Sequence, residues 1–193
     1  MDAHGRDEIA TGVPGPRAGG GCLGDEELRR AVDLAYRAVS SRDRTEAELR
    51  AFLERKRVDP GAIAGAVAEL REAGYIDDVR YAHRFAEDKR ALERWGSERI
   101  ERELVRRGIA PELAAQVARE REHEAEREAA LKLLSERYRA GLPDDRARDR
   151  AWRLLVRRGY APELAYEVVR EHARATVGAD ARPPGRLRPH PAI

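Results

Sequence analysis

The sequence predicts an all-α protein: three tandem three-helix, helix–turn–helix-like repeats forming a curved stack between two disordered tails. The main observation is a repeat, in which VRRGIAPELA at Val105–Ala114 returns as VRRGYAPELA at Val156–Ala165, an offset of 156 − 105 = 51 residues. The apolar positions repeat with it. Ile100, Leu104, Ile109, Leu113 and Val117 are answered by Ala151, Leu155, Tyr160, Leu164 and Val168. Upstream, Leu49, Leu53 and Val58 precede Ile100, Leu104 and Ile109 by the same interval; Ile63 and Val67 follow suit after one extra residue in the turn. The last observation is punctuation. Gly108 and Gly159 suit the left-handed residue that ends a helix, and Pro111 and Pro162 suit the first position of the next.

In chain order, residues 1–24 are rich in Gly and Pro without apolar periodicity, and are expected to be a disordered tail. The first repeat spans 25–76. It opens with the stripe Leu28, Ala31, Val32, Ala35, Tyr36 and Val39, whose 3.6-residue period predicts an amphipathic helix from about Asp25. Thr45 and Glu48 have the spacing of a capping box, and Asp59 before Pro60 that of an N-cap. The second repeat, 77–120, begins with Asp77 or Asp78 as a cap and breaks at Trp95-Gly96-Ser97, where Ser97 is expected to cap the helix of Ile100 and Leu104. From Leu113 to Ala140 no Pro or Gly intervenes. The stretch Arg119–Glu124 has no apolar residue and reads either as a solvated bridge within one long helix or as a concealed turn. The third repeat, 121–175, breaks at Gly141-Leu142-Pro143 and restarts with Asp144 or Asp145. A second disordered tail, rich in Pro and Arg, is expected over 176–193.

Composition narrows the function. The 193 residues are 41 % hydrophobic and 38 % charged, with 38 basic and 36 acidic side chains giving +2, too balanced for a plain polyanion binder. No apolar run reaches the roughly 18 residues that cross a bilayer, and the amino terminus lacks a secretory pattern, so a cytoplasmic protein is expected. The single Cys22 cannot form an internal disulfide. Asp77, Asp78 and His83 fall short of a metal ligand set, and Asp is a preferred N-cap. Phosphate-binding loops, Cys/His ligand spacings and nucleophile elbows are missing, which predicts a non-enzyme with no cofactor and no metal.

Sequence-specific DNA reading through the helix–turn–helix pairs is disfavoured. The second helices open with Pro60-Gly61-Ala62-Ile63, Pro111-Glu112-Leu113-Ala114 and Pro162-Glu163-Leu164-Ala165, offering no Arg, Asn or Gln to a base edge. The arginines lie on the middle helices instead. Between Arg146 and Arg158 there are six arginines and one acid, a local charge of 6 − 1 = +5. At about 100° per residue Arg146, Arg150, Arg153 and Arg157 share a face, as do Arg99, Arg102 and Arg106. In the second repeat Glu98, Glu101 and Glu103 can neutralise that face; in the third the acids are too few, which favours a basic stripe for an acidic protein surface or for phosphates. Trp95 is either an exposed partner anchor or a core residue, while Trp152 and Tyr160 are expected to be structural.

One family matches these residues. Gly74-Tyr75-Ile76-Asp77-Asp78, then Tyr81-Ala82 and Phe85, then Gly96, Arg99-Ile100, Glu103-Leu104 and Arg107-Gly108-Ile109 resemble the RecX family of recombination regulators over roughly Leu28 to Ala173. The resemblance implies a curved, all-helical monomer without cofactor that binds the RecA protein, enters the groove of the RecA–DNA filament, and restrains its growth, ATP hydrolysis and strand exchange. It also implies that Gly74, Tyr75, Ile76, Asp77, Asp78, Gly96 and Gly108 are mainly structural. The RecA-directed reading allows only weak DNA contact; a nonspecific DNA-binding helical-repeat protein, acting through the arginine stripes, is the alternative.

Overall fold

The computed structural model describes residues 21–180, and among them the secondary structure is nine α-helices and no strand. These are α1 (Gly21–Ser41), α2 (Glu46–Arg55), α3 (Pro60–Glu72), α4 (Asp78–Glu93), α5 (Ser97–Arg106), α6 (Pro111–Arg119), α7 (His123–Arg137), α8 (Asp145–Arg158) and α9 (Pro162–Asp180). Two ends differ from expectation. The first helix begins four residues before Asp25 and the last continues to Asp180, both inside the stretches expected as tails. Once a helix is nucleated by packing, each further residue adds a hydrogen bond at little cost, so a boundary drawn where apolar periodicity stops falls short. The remainder of both tails lies outside the described residues.

The helices pack in threes. Ala31, Ala35 and Ala38 of α1 close against Leu49, Leu53, Ile63, Val67, Leu70 and Ile76. Ala82 and Ala86 of α4 close against Trp95, Ile100, Leu104, Ile109 and Val117. Ala130 and Leu134 of α7 close against Leu142, Ala151, Leu155, Tyr160, Leu164 and Val168. In each group the first helix buries alanine, joined by Leu134 in the third, which lets it lie close to the other two while their longer residues fill the space.

Local chemistry sets the ends. Thr45, Asp59, Asp77 and Asp144 accept backbone N–H bonds as N-caps of α2, α3, α4 and α8. The expected cap at Ser97 is displaced by one residue: Gly96 is the N-cap of α5 and provides no side-chain bond. The capping box at Thr45 is only half made. Thr45 Oγ1 accepts from the Glu48 amide at 3.1 Å, but the Glu48 carboxylate is drawn away to the Arg107 guanidinium, 3.0 Å from it. The apolar-free stretch is a turn. A continuous helix there would have buried nothing; α6 instead ends at Arg119, its Val117 and Ala118 carbonyls capped by Arg90 of α4 at 3.0 and 2.9 Å, and α7 starts at His123.

Candidate partner interface

What organises the surface is how one group of three helices meets the next. Thr45 Oγ1 donates to the Arg107 carbonyl at 2.7 Å, so the start of α2 sits on the end of α5. One repeat on, the Gly96 amide donates to the Arg158 carbonyl at 2.9 Å and the Glu98 amide to the Gly159 carbonyl at 3.0 Å, so the start of α5 sits on the end of α8. The middle helices therefore follow one another head to tail, α8 to α5 to α2. The negative end of each dipole faces the positive end of the next, a favourable arrangement.

The repeated Gly explains itself at these joints. Arg57, Gly108 and Gly159 stand 51 residues apart (108 − 57 = 51, 159 − 108 = 51) and all have positive φ, 58°, 86° and 90°. At Gly108 a Cβ would come within 2.2 Å of the Ala47 Cβ, and at Gly159 within 2.2 Å of the Arg99 Cβ. Arg57 follows α2, where no earlier group packs among the described residues, and there a side chain is tolerated despite the left-handed backbone.

The arginines proposed from the sequence line this row. Arg99, Arg102 and Arg106 on α5 are the repeat equivalents of Arg150, Arg153 and Arg157 on α8, since 150 − 99, 153 − 102 and 157 − 106 are all 51. They are not equally free. Arg99 is half-buried, stacks over the Trp95 ring at 4.0 Å and donates to the Arg157 carbonyl at 3.1 Å, so it belongs to the joint. Arg106 is chelated by Glu103, and Arg153 pairs with Asp149 at 2.9 Å; both pairs are exposed, so solvent screens them. Arg102, Arg146, Arg150 and Arg157 are exposed, and among the described residues none has a carboxylate at ion-pairing distance. Neutralisation of the α5 face is thus partial, and the α8 face stays mostly open.

Trp95 corrects the anchor expectation. It is 7 % exposed, its ring centroid 6.2 Å from that of Phe85, with Lys89 and Arg99 over it. A tryptophan before a chain break reads equally as anchor or core in sequence; here the break folds it under α5. Trp152 is half-buried, its indole N–H donating to the Pro162 carbonyl at 3.2 Å, and Tyr160 is fully buried with a hydroxyl that finds no partner among the described residues.

Each residue of the Gly-Tyr-Ile-Asp-Asp motif makes a contact within the fold. Gly74 takes φ 73° to end α3, Tyr75 packs edge-on against Tyr36 with centroids 4.9 Å apart, Ile76 is buried, and Asp77 accepts from the Arg80 amide at 2.9 Å. Asp78 does something the sequence did not reveal. Its Oδ1 accepts from the Glu46 amide at 2.9 Å, capping a helix of the preceding group. Glu126 of α7 repeats the act, accepting from the Ser97 amide at 2.8 Å. The signal was available only as 97 − 46 = 51: the two donors are repeat equivalents.

Electrostatics agree with the packing. Partial burial pushes the Asp78 carboxyl above its ordinary range; the Glu46 amide opposes this, while Glu46, Asp77 and Glu48 add to it. The hydrogen bond from Arg106 holds Glu103 below the usual carboxylate range. Burial raises Tyr160 and Tyr81, and it lowers Arg90. Among the described residues no group of three or more His, Cys, Asp or Glu side chains is placed to hold a metal ion, and no helix is long and apolar enough to cross a membrane.

Fold and surface together define a tandem three-helix repeat protein with a basic face along its middle helices. Comparisons with known proteins supply the family. Residues 77–117 match the model of the second three-helix domain of RecX. The regulatory protein RecX of Deinococcus radiodurans is 35 % identical over 149 residues, covering 77 % of this chain and 71 % of that one. That of Trichlorobacter lovleyi is 37 % identical over 134 residues, covering 67 % and 87 %. The crystal structure of RecX from Lactobacillus salivarius shares the fold, with a TM-score of 0.68 at 18 % identity over 76 % of this chain and 97 % of that one. The chain belongs to the RecX family of regulatory proteins.

Proposed function

We propose that this chain binds the RecA protein and its nucleoprotein filament and inhibits RecA ATP hydrolysis, filament extension and strand exchange. It acts in the cytoplasm as a monomer, by occupancy rather than by chemistry of its own, and uses no cofactor. Family membership supports the partner. The surface observation that carries the reading is Arg102, Arg146, Arg150 and Arg157, exposed and, among the described residues, without carboxylate partners, on middle helices joined end to end. A jointed stack that fits one filament geometry better than another shifts the filament toward that geometry, which alters hydrolysis without catalysis. The test is DNA-dependent ATP hydrolysis by RecA with this protein added below stoichiometry. Inhibition is expected; unchanged hydrolysis at every ratio removes the proposal.

The same four arginines favour a second reading, nonspecific DNA binding. Phosphate contacts release counterions, so affinity for DNA alone would fall steeply with salt. A fluorescence-anisotropy titration of labelled DNA at two salt concentrations, with and without RecA, separates the two: tight, salt-sensitive binding without RecA supports DNA as the direct partner.

A further inference from the structure

We infer that Asp78 and Glu126 are positioning residues that lock each three-helix group against the one before it, and so set the spacing between successive middle helices, Glu126 holding the joint between the two that bear the arginine stripes. The inference concerns the free chain and holds whichever partner the arginines meet.

A helix begins with four backbone amides that have no partner inside it. In α2 the Thr45 hydroxyl satisfies the Glu48 amide, and the Glu46 amide is satisfied from outside the group, by Asp78 at the start of α4. In α5 the need is greater, because Gly96 has no side chain to offer; the Ser97 amide is satisfied by Glu126 from α7. In α8 the cap is local, Asp144 accepting from the Ala147 amide at 2.6 Å. The described residues contain no fourth group to cap it. A carboxylate from the next first helix is thus present at both joints where a later group follows.

The geometry gives these bonds a role that the bonds gathered at the ends of α5 and α8 cannot fill. At the first joint, the Thr45 bond to the Arg107 carbonyl and the Glu48 bond to the Arg107 side chain both end on one residue of the later group, at the close of α5. At the second, the Gly96 and Glu98 amides meet Arg158 and Gly159, and Arg158 also reaches the Glu93 carbonyl. Contacts gathered at the end of a single helix leave a pivot. Asp78 on α4 and Glu126 on α7 add a second point of attachment on a different helix, which removes the swing. Two exposed ion pairs span the same joints, Asp43–Arg84 at 2.9 Å and Arg94–Glu136 at 3.2 Å, and salt weakens both.

The experiment measures distances across each joint separately, in full-length protein carrying Cys22→Ser. Spin labels at Glu69→Cys and Asp88→Cys report the first joint, and labels at Asp88→Cys and Glu163→Cys the second; all three positions are exposed. Double electron–electron resonance is recorded at roughly 0.5 M salt, where the ion pairs are screened. Asp78→Ala is expected to broaden the first distribution by several ångströms and leave the second narrow. Glu126→Ala is expected to do the reverse. Asp78→Asn and Glu126→Gln, which keep an oxygen acceptor, should restore the narrow distributions. The inference is overturned if both Ala variants leave the distances unchanged, if either broadens both joints alike, or if the amide variants broaden as far as the Ala ones. Because each joint is read by its own variant, failure of one to fold leaves the other decisive.

Discussion

Three Gly-to-Ala substitutions separate the two demands that the joints make on their backbone. Gly74 has φ 73°, and a Cβ there would meet nothing within 4 Å, so Gly74→Ala carries only the left-handed backbone cost, about 1 kcal/mol. Gly96 is the converse. Its φ of −82° is ordinary for alanine, but a Cβ would lie 2.3 Å from the Gly159 carbonyl oxygen, 2.4 Å from its carbon and 2.5 Å from the Tyr160 nitrogen. All three are backbone atoms, so relief comes only by parting the second joint. That parting sacrifices the Gly96–Arg158 and Glu98–Gly159 hydrogen bonds, at about 1 kcal/mol net each, or ~2 kcal/mol before any lost packing. Gly159→Ala meets both demands, with φ 90° and a Cβ 2.2 Å from that of Arg99, for a cost of about 3 kcal/mol. In thermal melts followed by circular dichroism, at roughly 2–4 °C per kcal/mol for a chain of this size, the order should be Gly74→Ala, then Gly96→Ala, then Gly159→Ala. A Gly96→Ala protein that melts no lower than Gly74→Ala would refute the tight joint.

The remaining predictions concern single side chains. The Asp78 carboxyl is raised above 3.8 in the folded chain, so the folded state binds its proton more tightly, and this residue's contribution declines as pH climbs past its unfolded value; Asp78→Asn should gain stability relative to the parent between pH 4 and pH 7, read by urea titration at each pH. Tyr160→Phe removes a buried hydroxyl with no partner among the described residues and should be neutral or stabilising by up to ~1 kcal/mol in the same titration, whereas a clear loss would mean that the hydroxyl is bonded. Trp95→Ala should cost about 3–4 kcal/mol, as for a core aromatic, and that loss of stability should appear in the free protein without any partner.

Much of this was readable from the chain, for physical reasons. Apolar periodicity located the helices because burial on one face dictates it: Leu49, Leu53, Ile100, Leu104 and Leu155 are all fully buried. Gly108 and Gly159 announced left-handed helix ends because other residues pay a steric cost there; Asp59 announced a cap because its carboxylate reaches the second or third amide, and the pairs Asp77/Asp78 and Asp144/Asp145 each announced one without saying which member, the structure choosing Asp77 and Asp144. What escaped depended on neighbours distant in sequence. Glu48 left its capping box for Arg107, Ser97 was capped by Glu126 instead of acting as a cap, and Trp95 was covered by Arg99. Helical phase grouped the arginines by face, but phase could not say which members were engaged. Arg99 is used by the joint while Arg102, one turn on, is exposed.

The central claim is that Arg102 of α5 and Arg146, Arg150 and Arg157 of α8, exposed and without carboxylate partners among the described residues, carry the regulatory contact. It is tested most directly by RecA ATP hydrolysis on single-stranded DNA, titrated in parallel with the parent protein and with an Arg102→Glu, Arg146→Glu, Arg150→Glu variant. None of the three side chains has a carboxylate partner among the described residues, so the variant should keep its helix content and melting point. The account predicts that the parent inhibits hydrolysis and the variant does not; equal inhibition by both, at equal concentration, would contradict it.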